Sequence, residues 1–341
     1  MQRPTIHDVA EAAQVSLATV DRVLNKRGGV AAKSIEKVSN AVARTGYVRD
    51  ISAANLSRRR RYRLAFVLPD GDTSFLRLLR AALSAERDRL AAERVEIEER
   101  TSATFDPGAQ AVALRAIHPA GVDAVAVIAS ETPEIRAEIA RLRSEGVTVL
   151  TLVSDMPGSG RDAYVGVDNV AAGRTAAHFM GRFVGRAGGR VLMVAGSLAA
   201  RDHMERVMGF RAALRERFAG IEPLAAVEGF DDAARVEALV RTAMAEGPLA
   251  GVYAIGAGTR GLIAALDGMA APARPVTIVH DLTERSRAAL MDGTIDLVLD
   301  QAPGAQVSAA VTIMRALADG GPVPDGAGAT TFNVFVRENV R

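Results

Sequence analysis

From Leu64 onward the chain alternates short apolar, β-rich runs with amphipathic helical stretches, and this alternation restricts the fold more than any other feature. The runs are "LAFVLP", "RVEIEE", "VDAVAVIA", "VTVLTLV", "AYVGV", "RVLMVAG", "LAAVEG", "GVYAIG", "PVTIVHD", "IDLVLD" and "FNVFVR". Strands separated by helices are the signature of parallel sheets, so the expected class is α/β. Eleven strands exceed one comfortable doubly wound sheet. Two doubly wound parallel-sheet lobes are therefore expected, lobe 1 at about 64–167 and 301–322 and lobe 2 at about 168–300 and 328–341. Ligands of such sheets bind at the carboxyl ends of the strands, which makes the cleft between the lobes the default site.

The charge is unevenly spread. Residues 1–63 hold 13 Lys and Arg against 5 Asp and Glu, a net +8, and all three lysines (Lys26, Lys33, Lys37). The remainder is at −6, although the whole chain is only +2. A basic module on a mildly acidic body suggests that the module meets a polyanion and the body does not. The chain has no cysteine, which rules out a disulfide framework, a thiolate nucleophile and Cys-ligated metal sites, and which fits a reducing cytoplasm. "MQRPTIHDVAEAA" lacks a basic start followed by an apolar stretch, and no segment reaches the ~18 apolar residues of a membrane span; the expectation is a cytoplasmic protein without membrane contact. His7, His118, His178, His203 and His280 show no metal-ligand spacing, and neither a G-x-S-x-G elbow nor a Walker loop occurs, so no catalytic residue, metal or cofactor is expected.

Within the basic module, "TIHDVAEAAQVSLATVDRVLN" packs two helical runs around the turn "AQVS". Thr5 can cap a helix whose inward positions are Val9, Ala10 and Ala13, and Ser16 a second with Val20, Val23 and Leu24 inward. Small Ala10 lets the helices cross closely and Val15 plugs the turn, as a helix-turn-helix requires. A third helix, "KSIEKVSNAVARTGY", places Ile35, Val38 and Val42 on one face. The module is assigned to residues 1–48, a hinge or linker "ISAANLSRRRRYR" to 49–63 and the effector-binding body to 64–341. An ordinary helical subdomain is the plain alternative; the concentrated charge counts against it.

These stretches, followed by "V…K…KV…A…GY", the linker and a body similar to periplasmic sugar-binding proteins, resemble the LacI/GalR family of bacterial transcription regulators over the whole chain. The resemblance implies that the second helix enters the DNA major groove, where Arg22 meets a guanine and Leu17 and Ala18 offer apolar contact to thymine methyls. It also implies DNA contacts from Thr5, Ser16, Thr19 and Asn25. A hinge helix would order on the operator and wedge Leu56 into the minor groove, with Ala53, Arg58 and Arg59 beside it. A homodimer on a pseudo-palindromic operator in double-stranded DNA follows, because one helix-turn-helix reads one half-site. Three positions depart from the family: Gln14 replaces the usual Gly of the turn, Asp21 replaces a phosphate-contacting Ser, and "GYxPN" reads "GYVRD".

For the body, the resemblance carries over an effector site of Asp72 and Phe75 ("DGDTSFL"), Asp155 ("VSDMP"), Arg206 ("ARDHMERVMGF"), Asp281 and Gln301, with Thr259 nearest to where the family has Asn-Asp. A guanidinium, a carboxylate, an amide and an aromatic face suit an uncharged sugar or polyol. The rival signal is "GVYAIGAGTRGLIAAL", where Gly256, Gly258 and Gly261 form G-x-G-x-x-G between a strand and a helix, with Asp281 ending the next strand. That context matches a dinucleotide fingerprint, so a nicotinamide-dependent oxidoreductase or sensor is the alternative.

Overall fold

The computed structural model describes residues 4–24, 29–45, 60–256, 258–270, 273–328 and 330–340. The chain forms two compact units, Met1–Arg60 and Arg61–Arg341.

In the first unit, α1 (Ile6–Ala13), α2 (Leu17–Leu24) and α3 (Ala32–Thr45) enclose a small core of Val9, Ala10, Ala13, Val20, Val38 and Ala41. Thr5 and Asp8 form a reciprocal capping box at the start of α1, and the Ser16 hydroxyl accepts from the Thr19 N–H at the start of α2. Val15, Val23, Leu24 and Val42 close the edge of this core. Ile35, expected inward on α3, is instead 44% exposed. Ala41 takes the inward place, since a helix only two short neighbours wide has room for a narrow apolar stripe. Gln14 sits in the left-handed region at φ 52°, donating its N–H to Ala10 and Glu11 carbonyls as the C-cap of α1. A Cβ there carries a steric cost that glycine avoids, offset partly by glycine's greater unfolded-state freedom. Gln14→Gly is accordingly expected to stabilise this unit by about 0.5–1 kcal/mol, read as a raised midpoint in urea denaturation.

The second unit contains two sheets. The first holds β1 (Tyr62–Pro69), β2 (Val95–Ser102), β3 (Ala124–Val127), β4 (Thr148–Leu152) and β5 (Ala163–Val165) in the order β2-β1-β3-β4-β5, all parallel. The second holds β6 (Gly189–Ala195), β7 (Ile221–Pro223), β8 (Val227–Glu228), β9 (Leu249–Ala254), β10 (Val276–His280), β11 (Leu297–Asp300) and β12 (Asn333–Phe335). Its order is β12-β11-β10-β9-β6-β7, with β8 also pairing β6 and only β12 antiparallel. All eleven runs contain strand. The twelfth, β7, is three residues ending in Pro223, too short and too polar to show an apolar pattern. β1 starts at Tyr62, inside the stretch assigned to the linker, because the Tyr62 ring is buried and its hydroxyl donates to Asp319 at 2.8 Å.

Helices cover both sheets: α4 (Ser74–Leu90), α5 (Pro107–Arg115), α6 (Pro133–Ser144) and α12 (Pro303–Ala318) on the first; α7 (Asn169–Val184), α8 (Arg201–Arg217), α9 (Ala233–Ala245), α10 (Thr259–Leu266) and α11 (Glu284–Asp292) on the second. Burial on both faces explains why Leu64–Leu68 reads as an uninterrupted apolar run. α12 returns from the second sheet to seat Val307, Val311 and Met314 against Phe66, Leu79 and Leu83 of the first lobe. Six of these helices begin on a side chain that accepts an N–H of the first turn: Thr73, Asp106, Thr132, Asp168, Asp232 and Thr283. α7 and α8 touch at backbone distance. A Cβ on Gly173 would strike the Arg206 carbonyl, and one on Gly209 the Val170 carbonyl.

Candidate functional site

On α2 the side chains of Leu17, Ala18 and Arg22 are exposed, Ala18 and Arg22 on the side away from buried Val20, while Thr19 is held by its 2.9 Å hydroxyl contact with Ser16. Thr5 is exposed at its capping box. Asn25, Ala53, Leu56, Arg58 and Arg59 lie outside the described residues.

In the second unit, cavities of about 440, 250 and 120 Å³ lie between the lobes and share lining residues. The floor is a polar chain. Arg206, 1% exposed, donates from Nε to Asn169 Oδ1 at 2.9 Å, from Nη1 to the Ile255 carbonyl at 2.9 Å and from Nη2 to Gln301 Oε1 at 2.6 Å. Gln301 Nε2 then donates to Asp281 Oδ1 at 3.0 Å. Three of the five guanidinium N–H groups thus serve the protein and fix the orientation of the rigid fork. Burial pushes the Asp281 carboxyl up to about 6, against the opposing pull of Arg206 and the Gln301 amide.

The structure brings together Arg206, Asp281, Gln301 and Phe75 around the smallest cavity, and Asp72, Phe75, Thr259 and Asp281 around the largest. Asp72 is exposed and paired with Arg77 at 3.0 Å. Asp155 is placed elsewhere: its carboxylate is held by Arg161 at 2.6 Å and by the Thr151 hydroxyl at 2.8 Å, and it lines none of these three cavities. Burial works to raise its carboxyl, but the bonds from Arg161, Thr151 and the Met156 N–H outweigh that and hold it below the usual range.

Other cleft residues escaped the sequence reading. Asp202 lies on α8 one turn before Arg206, its carboxylate 4.0 Å from Nη2; the i, i+4 spacing in "RDHMER" was the available signal. Phe105 follows β2 and Phe230 follows β8, and their rings meet edge to face at 6.1 Å across the cleft. Arg201 reaches Glu131 of the other lobe at 2.9 Å. Among the described residues, eight non-glycines have positive φ, and six of them (Phe105, Val153, Phe230, Asp231, Asp281, Ala302) stand just beyond strand ends at this cleft. Strain of this kind persists where surrounding structure imposes it, and it gathers at binding sites.

The three glycines of the dinucleotide-like segment are explained by protein neighbours. A Cβ on Gly256 would meet Gly196 and His203, one on Gly258 would meet Val236, and one on Gly261 the Ala233 carbonyl of α9. The nicotinamide reading is not favoured.

Two parallel-sheet lobes around a polar cleft, preceded in the sequence by a helix-turn-helix unit, define the class of fold: an α/β two-lobed body joined to a helix-turn-helix module. Comparison with known proteins agrees: residues 64–322 match the periplasmic binding protein domain and residues 5–50 the bacterial regulatory proteins of the lacI family. The chain belongs to the periplasmic binding protein domain family over most of its length, with a lacI-family helix-turn-helix domain at residues 5–50. It is 26% identical over 215 residues to the HTH-type transcriptional regulator DegA of Bacillus subtilis, covering 63% of this chain and 61% of DegA. It is 37% identical over 82 residues to the maltose regulon regulatory protein MalI of Vibrio furnissii, covering 24% of this chain and 60% of MalI. The chain thus spans about three fifths of the length of these relatives. GanP, a glucose-galactose binding protein from Geobacillus stearothermophilus, superposes with a TM-score of 0.73 at 23% identity, over 82% of this chain and 99% of GanP, a likeness of fold. No helix among the described residues is long and apolar enough to cross a membrane.

Proposed function

We propose that this chain is a cytoplasmic, ligand-responsive transcription regulator, a repressor that binds a pseudo-palindromic operator as a homodimer and whose affinity is set by an uncharged sugar or polyol held between the lobes. The observation that carries the reading is the buried Asn169–Arg206–Gln301–Asp281 chain at the floor of the cleft, in a protein whose separate basic unit exposes Leu17, Ala18 and Arg22 on a helix-turn-helix. Charged donors and a carboxylate acceptor in a desolvated floor suit hydroxyl groups, and the glucose-galactose binding of GanP supports that class. Phe75 offers an apolar ring face at the wall. Ligand binding would favour one of two lobe arrangements and so bias operator affinity. The test is a thermal-shift panel of D-glucose, D-galactose, ribitol, myo-inositol, adenosine and NAD, repeated as an operator-binding titration. A sugar or polyol that raises the melting temperature and changes operator affinity supports the reading; a response to NAD alone overturns it.

Asp281 gives the binding a pH dependence. Its folded value of about 6 lies above the usual 3.8, so in the ligand-free protein the group favours the protonated form, a contribution to stability present below about pH 4 and lost as pH rises through 6. A ligand hydroxyl that donates to the carboxylate needs the ionised form instead. Affinity is therefore expected to be about tenfold weaker at pH 5 than at pH 7 by calorimetry, and Asp281→Asn is expected to flatten that profile.

A further inference from the structure

His280 ends β10 one residue before Asp281, is 3% exposed and lines the largest cavity. Its Nε2 lies 2.8 Å from the Tyr253 hydroxyl. Its Nδ1 is buried with no hydrogen-bond partner. Tyr253 is fully buried, and His280 Nε2 is the one partner its hydroxyl has among the described residues. A phenolic O–H in a dry core gives its proton to an available acceptor, so Tyr253 donates and Nε2 accepts. That bond fixes the tautomer: in the neutral ring the proton sits on Nδ1. Burial, with the nearby Arg206 charge and His203, keeps the ring well below its ordinary titration range and hence neutral. An unsatisfied, buried N–H donor is left on a ring that lines a polar cavity, and leaving it unpaired costs about 1–3 kcal/mol.

We propose that His280 is a ligand-binding residue of this cleft, donating its Nδ1–H to an acceptor oxygen of the bound polyol. The inference rests on the cleft being the effector site. Asp281 then accepts a hydrogen bond from a ligand hydroxyl while the adjacent His280 donates one. The pair demands a ligand with both a donor and an acceptor in neighbouring positions, as two vicinal hydroxyls supply. A site that donates from a buried group discriminates against analogues lacking the matching oxygen. Tyr253 acts as a positioning residue, since it touches the ring and holds its tautomer.

Two variants separate ligand contact from structure. Both His280→Asn and His280→Leu lose the acceptor for Tyr253, but the asparagine amide N–H₂ occupies the place of Nδ1 and keeps the donor. With whichever of D-glucose, D-galactose, ribitol or myo-inositol shifts the parent, His280→Leu is expected to bind about tenfold more weakly and His280→Asn within about threefold of the parent. Equal affinities for the leucine variant and the parent would overturn the proposal while leaving the effector reading intact. A second measurement needs no ligand: nitrogen-15 spectra of the histidines in the full chain are expected to show His280 protonated on Nδ1, with Tyr253→Phe redistributing the tautomers. An Nε2-protonated ring in the parent would overturn the proposal whatever the panel binds. If no sugar or polyol shifts the parent, it is the effector reading that fails, and the donor proposal fails with it.

Discussion

Arg206→Ala is expected to abolish the effector response and to destabilise the body by about 3–5 kcal/mol. The side chain is fully buried, and its removal leaves the Ile255 carbonyl, Gln301 Oε1 and Asn169 Oδ1 without their donor. It also strips Asp281 of its nearby positive charge, so the carboxyl titrates still higher. Loss of a charged partner in a desolvated pocket costs ~2–4 kcal/mol of ligand affinity, roughly 30- to 1,000-fold. The helix-turn-helix is a separate compact unit with its own core, so operator binding by folded protein is expected to persist without effector control. Urea denaturation, calorimetry and operator titration together check this. An Arg206→Ala protein that keeps parental stability and response would show that the polar chain is not the ligand floor.

Arg22→Ala is expected to weaken operator binding by about 1–3 kcal/mol, some 5- to 150-fold, and to relax preference at one base pair per half-site. Arg22 is exposed on α2, whose inward face is committed to Val20 and its neighbours, so its guanidinium has the reach to bond guanine O6 and N7 together. A lysine to which only phosphate is presented would behave differently, losing affinity equally on all sequences and flattening the salt dependence. Binding of Arg22→Ala to the operator and to random DNA at two salt concentrations distinguishes the cases; equal losses on both DNAs would assign Arg22 to the backbone.

The parallel-sheet body was legible because burial on both faces writes a continuous apolar run, and the helix-turn-helix because Thr5, Ser16 and their spaced apolar partners are local signals. Ile35 misled because a periodic pattern gives a face but not its width. Arg206, Asp281 and Gln301 were found through family resemblance, whereas the bonds that join them cross 95 and 20 residues of sequence and leave no periodic trace. Asp155 looked equally plausible at a strand end; only its pairing with Arg161 six residues later shows that its carboxylate is already engaged. Phe105 and Phe230 were invisible because their placement depends on left-handed backbone, which residue type alone does not announce.

The glycine contacts between α7 and α8 bear on how such a pocket changes its taste. Asn169 opens one helix and Arg206 rides on the other, and Gly173 holds the two backbones at contact beside them. At Gly173 and Gly209 main chain meets main chain, so the spacing between amide and guanidinium is set there by the backbones. Thr259 opens α10, and Phe230 and Phe105 stand on loops, all around the rim, where substitution leaves the seam untouched. On the proposed effector reading, the floor is the fixed socket for one pair of oxygens, and the rim the interchangeable part that decides which molecule carries them.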